Sequence, residues 1–380
     1  MRQALTNARV LTAQGWREDV AVIVEDAWIR DLIAPDRIPA DATSHDLSGR
    51  TLLPGFIDCQ VNGGGGVLFN DRPDVEGIRA IGTAHRRFGT TGFLPTLISD
   101  DMETMRAAIT AVGSAIAGDV PGVLGIHLEG PFLSRERKGV HAAKYLHSPA
   151  PDELRLCGSL KRGVTLMTLA PECVQTAAIG ELVRHGVVVA AGHSNATCAC
   201  MRDALDAGVR GFTHLYNAMS PLTSREPGMV GAALDDRDSW CGVIVDGHHV
   251  APTSLRVALK AKPRGKIFLV TDAMPPVGAS NPSFILNGET ITARDGICRT
   301  AAGTLAGSAL CMIGAVRNAV DMLGVPLDEA ARMAATYPAD FLGLGATHGR
   351  IAAGCRADFT VLDDALSVTE TWIGGRQRSH

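Results

Sequence analysis

GVLGIHLEGP, residues 122–131, is a short apolar run that ends on a carboxylate, Glu129. The same construction recurs along the chain. GVVVAAGHSNAT (186–197) leads to His193, GVRGFTHLYNA (208–218) to His214, WCGVIVDGHHV (240–250) to His249 and KIFLVTDAM (266–274) to Asp272. TLLPGFIDCQVNG (51–63), GTTGFLPTLIS (89–99) and GVTLMTLAPE (163–172) bring the runs to eight. Most show little alternation of apolar and polar residues, the pattern of strands buried on both faces. A glycine often stands before them, where a preceding helix would end. Helix-like stretches fall between them, at 83–88, 102–116, 179–184, 198–206 and 254–260. Strand and helix alternating in this way predict an α/β chain folded as a (β/α)8 TIM-like barrel. Such a barrel gathers its strand ends on one rim, so polar residues far apart in sequence can meet there.

The two ends read differently. Residues 1–50 and 350–380 carry short alternating runs, such as 20–24 and 28–33, broken by Asp, Pro and Gly. Neither end suffices for a stable sheet alone. Together they predict one small β-sandwich domain (1–50 plus 350–380), with the catalytic barrel (51–349) inserted between its halves. SFIL–NG–ETIT within 283–300 has the Asn-Gly turn of a two-residue hairpin and sits beyond the eighth strand. Two helices are expected to close the barrel, one capped by Ser308 and one over 328–342 with Pro338 inside it.

A chain of 380 residues can bury one large core and a smaller satellite. Net charge is −4 and no Lys/Arg run appears, which argues against a nucleic-acid partner. No apolar stretch is long enough to cross a membrane, and the first residues lack the apolar core of a signal peptide. The nine cysteines are scattered without a CxxC pair, and Cys59, Cys241 and Cys311 lie in apolar runs. They are expected to be buried free thiols in a reducing cytoplasm. Cys198 and Cys200, two apart in a helical stretch, would not share a face and are poor metal candidates.

Two imidazoles and a carboxylate, His193, His214 and Glu129, form an N/N/O set suited to Zn²⁺ with a position left open for water. Asp272, after the eighth strand, is placed to take a proton from that water and return it to a leaving group. Taken singly, a histidine at a strand end is usually a hydrogen-bonded structural residue, and an aspartate there is often a helix cap. Four such residues at equivalent strand ends favour a metal site. His127, two before Glu129, is read as structural.

HLEGPF (127–132), KGVHAA (138–143), AGHSNAT (191–197), THLYNAM (213–219), REPG (225–228), DGHHV (246–250), VTDAM (270–274) and GTLAGS (303–308) occur in this order. Over nearly the whole chain they resemble the N-acetylglucosamine-6-phosphate deacetylase family of the amidohydrolase superfamily. The resemblance implies Glu129, His193 and His214 as metal ligands and Asp272 as general base and acid. It implies His141 as the residue that polarises the acetamide carbonyl. Val140, His141, Asn217, Ala218, Arg225, His249 and the Leu305–Ala306–Gly307 segment match substrate positions. It further implies a homodimer in which Arg225, and His249 with it, contributes across the interface to the phosphate. Much of the superfamily carries His-x-His after the first strand, where this chain has Gln60-Val61-Asn62. Neither amide is a good ligand beside imidazoles. One divalent metal per subunit is therefore expected, Zn²⁺ first, with Fe²⁺, Co²⁺ or Mn²⁺ also compatible.

Three rival functions bear weighing. A cyclic-amide hydrolase or deaminase of the same superfamily would use the missing His-x-His. A deacetylase of the galacto epimer, N-acetylgalactosamine-6-phosphate, differs by one hydroxyl that no residue here selects. A non-catalytic sugar-phosphate binder would have no use for Asp272.

Overall fold

The computed structural model describes residues 2–378. Eight parallel strands form one sheet: β1 (Phe56–Val61), β2 (Thr90–Ile98), β3 (Gly125–Glu129), β4 (Val164–Leu169), β5 (Val188–Ala191), β6 (Gly211–Phe212), β7 (Trp240–Val243) and β8 (Ile267–Leu269). Each lies within one of the eight apolar runs. Neighbours in sequence are neighbours in the sheet, the order of a singly wound barrel. The ring closes just beyond the strands, where Asp272 N–H donates to Gln60 O at 3.0 Å and Asn62 N–H to Ala273 O at 2.9 Å.

Three of the helices that wrap this ring begin on side-chain caps. Asp74 accepts from Gly77 N–H ahead of Val75–Arg86, Asp101 from Thr104 N–H ahead of Met102–Ala117, and Thr197 from Cys200 N–H ahead of Cys198–Asp206. Glycine returns the chain to the sheet. Gly163, just before β4, has φ +94°, and a Cβ there would sit 2.6 Å from Ile116 Cδ1.

Two helices depart from expectation. Ser308 does not cap the helix Met312–Leu323. It ends the strand Leu305–Ser308, where its hydroxyl donates to Thr271 O at 2.6 Å. The helix expected over 328–342 is two, Leu327–Ala334 and Thr336–Phe341, broken at Ala335. Pro338 has no N–H for the Ala334 carbonyl and its ring crowds that oxygen, so a continuous helix fails there. Phe341, from the second piece, plugs the barrel bottom and stacks on Phe268 with ring centroids 4.9 Å apart.

The chain ends build two further sheets. One has four strands in the order Trp28–Ile33, Ala21–Glu25, Arg2–Thr6, Thr43–Asp46. The other has six and mixes both ends: Arg376–Arg378, Val368–Ile373, Phe359–Leu362, Thr51–Pro54, Arg9–Thr12, Gly15–Arg17. Their facing residues, among them Leu5, Val22, Ile29, Phe359 and Trp372, form one apolar cluster, as in a sandwich. A four-stranded antiparallel sheet, Ser283 to Ser308, stands on the barrel rim. Its first turn is Asn287-Gly288, with φ 51° and 81°, as a two-residue hairpin requires.

Candidate functional site

Strand ends deliver the candidate ligands to one place. Glu129 is the last residue of β3, and His193 and His214 follow β5 and β6 by two residues. Glu129 Oε1 lies 3.0 Å from His214 Nε2 and 3.3 Å from His193 Nε2, and the two nitrogens are 3.0 Å apart. Ligand atoms about 2.0–2.1 Å from a tetrahedral Zn²⁺ are separated by about 3.3 Å, so this set fits a metal of that size. His193 Nδ1–H donates to Arg137 O at 2.9 Å, which leaves the Nε2 lone pair free for a metal. Burial favours a neutral Glu129, yet its bonds to the two imidazoles hold its carboxyl well below the usual carboxylate range. These three form the only group of three or more potential ligands among the described residues. His193, His214 and Asp272 all take left-handed backbone, with φ 48°, 34° and 52°. Such conformations cost about 1–3 kcal/mol each and concentrate at functional sites.

Asp272 faces the triad through amides. Gln60 Nε2 donates to both Glu129 Oε1 (3.0 Å) and Asp272 Oδ1 (3.1 Å), and Asn62 Nδ2 donates to the same Asp272 oxygen at 2.6 Å. The space where a His-x-His would hold a second cation thus contains N–H donors. Burial first, then the charge of Glu129, raises the Asp272 pKa above its ordinary value. A poised proton acceptor benefits from a raised value.

A cavity of about 340 Å³ opens over this cluster. Of the expected substrate residues, Val140, His141, Asn217, Ala218, His249, Leu305 and Gly307 line it. Ala306, between two of them on an extended strand, turns away into the apolar cluster with Leu68, Met274 and Phe284. Arg225 is exposed and does not line the cavity of its own chain. His249 Nδ1–H donates to Asp246 Oδ2 at 2.6 Å, whereas His248 is exposed. Despite the opposing effect of burial, the bond to His249 and two backbone N–H groups bring the Asp246 carboxyl down to about 2. Burial, then neighbouring imidazoles, lowers the His141 pKa to about 3, so its ring is neutral. His127 lies inside the barrel between Thr96 Oγ1 (3.2 Å) and Thr168 Oγ1 (2.7 Å).

Several cavity residues escaped the sequence reading. Arg137 lines the cavity with its Nε donating to Asn195 Oδ1 at 3.0 Å, and Glu136 stands beside it. Only their place just ahead of KGVHAA pointed to them. Glu172, after β4, is no metal ligand. It accepts from Ser194 Oγ (2.6 Å) and Asn195 N–H (2.5 Å), bracing the turn that carries His193.

A family model described as "Amidohydrolase family" matches residues 51–378, and one described as "NagA composite domain" matches residues 3–52. The chain is 45% identical to an N-acetylgalactosamine-6-phosphate deacetylase of Shewanella sp. (strain ANA-3), over 97% of this chain and 94% of that protein. It is 35% identical to an N-acetylglucosamine-6-phosphate deacetylase of Haemophilus influenzae over 100% of both. The crystal structure of N-acetylglucosamine-6-phosphate deacetylase from Pasteurella multocida superposes with a TM-score of 0.96 at 36% identity, covering 100% of each chain.

Proposed function

This chain belongs to the amidohydrolase family, and from that premise we propose that it hydrolyses N-acetylglucosamine-6-phosphate to glucosamine-6-phosphate and acetate. One observation carries the reading. In a chain matched end to end by deacetylases of N-acetylated amino-sugar phosphates, a His-His-Glu triad and the buried carboxyl of Asp272 converge under one cavity.

Glu129, His193 and His214 would hold one divalent metal, Zn²⁺ first by the borderline-soft donor set. Bound there, it supplies Lewis-acid polarisation and acidifies water. Asp272 takes the proton of the attacking water, with Gln60 and Asn62 holding the carboxylate that receives it. His141 donates a hydrogen bond to the acetamide oxygen as negative charge gathers there. Asp272 then returns its proton to the departing amine, and the amide C–N bond breaks. Val140, Asn217, Ala218 and the 305–307 strand surround the sugar, and His249 turns its free nitrogen to the cavity of its own chain.

The phosphate dianion needs a cation. Arg225, exposed and outside its own cavity, serves the neighbouring subunit of a homodimer in this reading. The free state of all nine cysteines supports a cytoplasmic location, and no helix among the described residues is long and apolar enough to cross a membrane.

A second reading keeps the mechanism and changes the epimer, since a relative named for N-acetylgalactosamine-6-phosphate is 45% identical. Acetate release is to be measured from both phosphorylated epimers and from unphosphorylated N-acetylglucosamine, with metal content on the same sample. Higher kcat/KM for the gluco phosphate supports the first reading, and a galacto preference replaces it with the second. No release from either phosphate in metal-loaded protein removes the deacetylase assignment.

A further inference from the structure

We propose that Ser99 is a positioning residue that fixes the tautomer of His141, so that Nε2–H faces the substrate's acetamide oxygen. The inference deepens the mechanism above and rests on its reading of His141. Ser99 follows β2 directly and is buried. Its backbone N–H points at His141 Nδ1 at 3.3 Å, and its hydroxyl oxygen stands 2.8 Å from the same nitrogen. A backbone N–H can only donate, so Nδ1 must present its lone pair. A neutral imidazole then carries its single proton on Nε2. Among the described residues, no other group hydrogen-bonds either nitrogen of this ring.

The opposite tautomer would reverse the chemistry. With Nδ1 protonated, Nε2 would turn a lone pair toward a carbonyl oxygen that is gaining negative charge. The ring would then repel what it must stabilise, and a preorganised donor would be lost. The surroundings are shaped for the hydroxyl. A Cβ on Gly130, where φ is +83°, would fall 2.2 Å from Ser99 Oγ, so glycine beside Glu129 leaves the space that Ser99 fills. His193 packs edge-on against the His141 ring, with centroids 4.5 Å apart, and limits how far it can swing.

The test is a double-mutant cycle on the metal-loaded protein with Ser99→Ala, His141→Ala and the pair, with Ser99→Thr as the conservative variant. Ser99→Ala keeps the backbone donor and loses the hydroxyl, so kcat should fall about 10- to 100-fold, with KM and metal content little changed. Ser99→Thr should restore most of kcat. In the His141→Ala background, Ser99→Ala should cost nothing further, because its effect passes through that ring. In ¹⁵N-histidine spectra, His141 should report Nε2–H in the parent protein and also in Ser99→Ala, where the backbone N–H still holds Nδ1 as an acceptor, with the Nδ1 resonance shifted by loss of the hydroxyl contact; Nδ1–H in the parent protein overturns the tautomer assignment. Unchanged kcat in Ser99→Ala, or an equal loss in both backgrounds, overturns the positioning role. Wild-type turnover by His141→Ala is a different failure, since it removes the carbonyl-polarising role itself and the proposal with it.

Discussion

Gln60 Nε2 stands 3.0 Å from Oε1 of Glu129, so an amide occupies the ground that a second cation would need. The same nitrogen reaches Asp272, so the two N–H bonds of one NH₂ group serve both carboxylates. Metal analysis of the protein should therefore find about one ion per chain, as a three-ligand site holds. Gln60→Leu keeps the bulk but removes both hydrogen bonds. Its metal content should stay near one while kcat falls about 10- to 100-fold, the usual cost of losing a group that orients a ligand. A count near two in the parent protein, or full turnover in the variant, contradicts this.

Asp272→Asn preserves shape and still accepts from Gln60 and Asn62 through its carbonyl oxygen. It cannot accept the water proton. Loss of general-base catalysis costs about 10²- to 10⁴-fold, so turnover should fall by that factor while fold and metal content remain. Circular dichroism, metal analysis and acetate release on one preparation check all three. Retained turnover would assign proton transfer to another group.

The barrel and the triad were legible because they obey periodic rules. Each strand is an apolar run, and each ligand is the polar residue at or just past its end. Applied evenly, that rule also picks out Ser99, which closes the second run. What escaped lacks such a signal. Gly228–Asp235 is a helix buried on nearly all sides, so it shows no polar stripe to mark its period. Arg137 and Glu136 lie in a loop crossing the rim, where no repeat dictates the path of the chain. Gln60 and Asn62 were legible as missing ligands, but their role as donors to Glu129 and Asp272 depends on contacts made around the ring. The helix break at Ala335 could have been placed from Pro338, three residues on.

Two buried groups beneath the site should give stability opposing pH dependences. Burial raises the Asp58 carboxyl from 3.8 to about 7, against hydrogen bonds from Thr271 and Gln60. The folded state keeps this proton where the unfolded state has lost it. Its contribution is full below pH 3.8 and disappears as pH rises through about 7. His85 is the converse. Burial lowers it from 6.5 to about 4, with Nε2–H donated to Gly63 O at 2.9 Å and Nδ1 buried without a partner. Its contribution is full above pH 6.5 and is lost as pH falls through about 4. Denaturant titrations should therefore show Asp58→Asn gaining stability on the parent protein as pH rises from 4 to 7. His85→Gln should gain on it as pH falls from 6.5 to 4. Parallel pH profiles for parent and variants would contradict both assignments.

Arg225 tests the assembly. It is exposed in a loop after β6 and does not line the cavity of its own chain, so the phosphate role proposed for it is one toward a second subunit. A hydrogen bond to a charged group contributes about 1.5–3 kcal/mol, equivalent to about 10- to 100-fold in affinity. Arg225→Ala should raise KM for the phosphorylated sugar by that factor while kcat changes little. Turnover of the unphosphorylated sugar should be unaffected, because its complex has no phosphate to lose. Sedimentation should show a dimer for parent and variant alike. Dilution of the parent protein below its dimer dissociation constant should then reproduce the variant's KM. A monomer with the parent KM would place the phosphate cation within one chain, where Arg137 already lines the cavity.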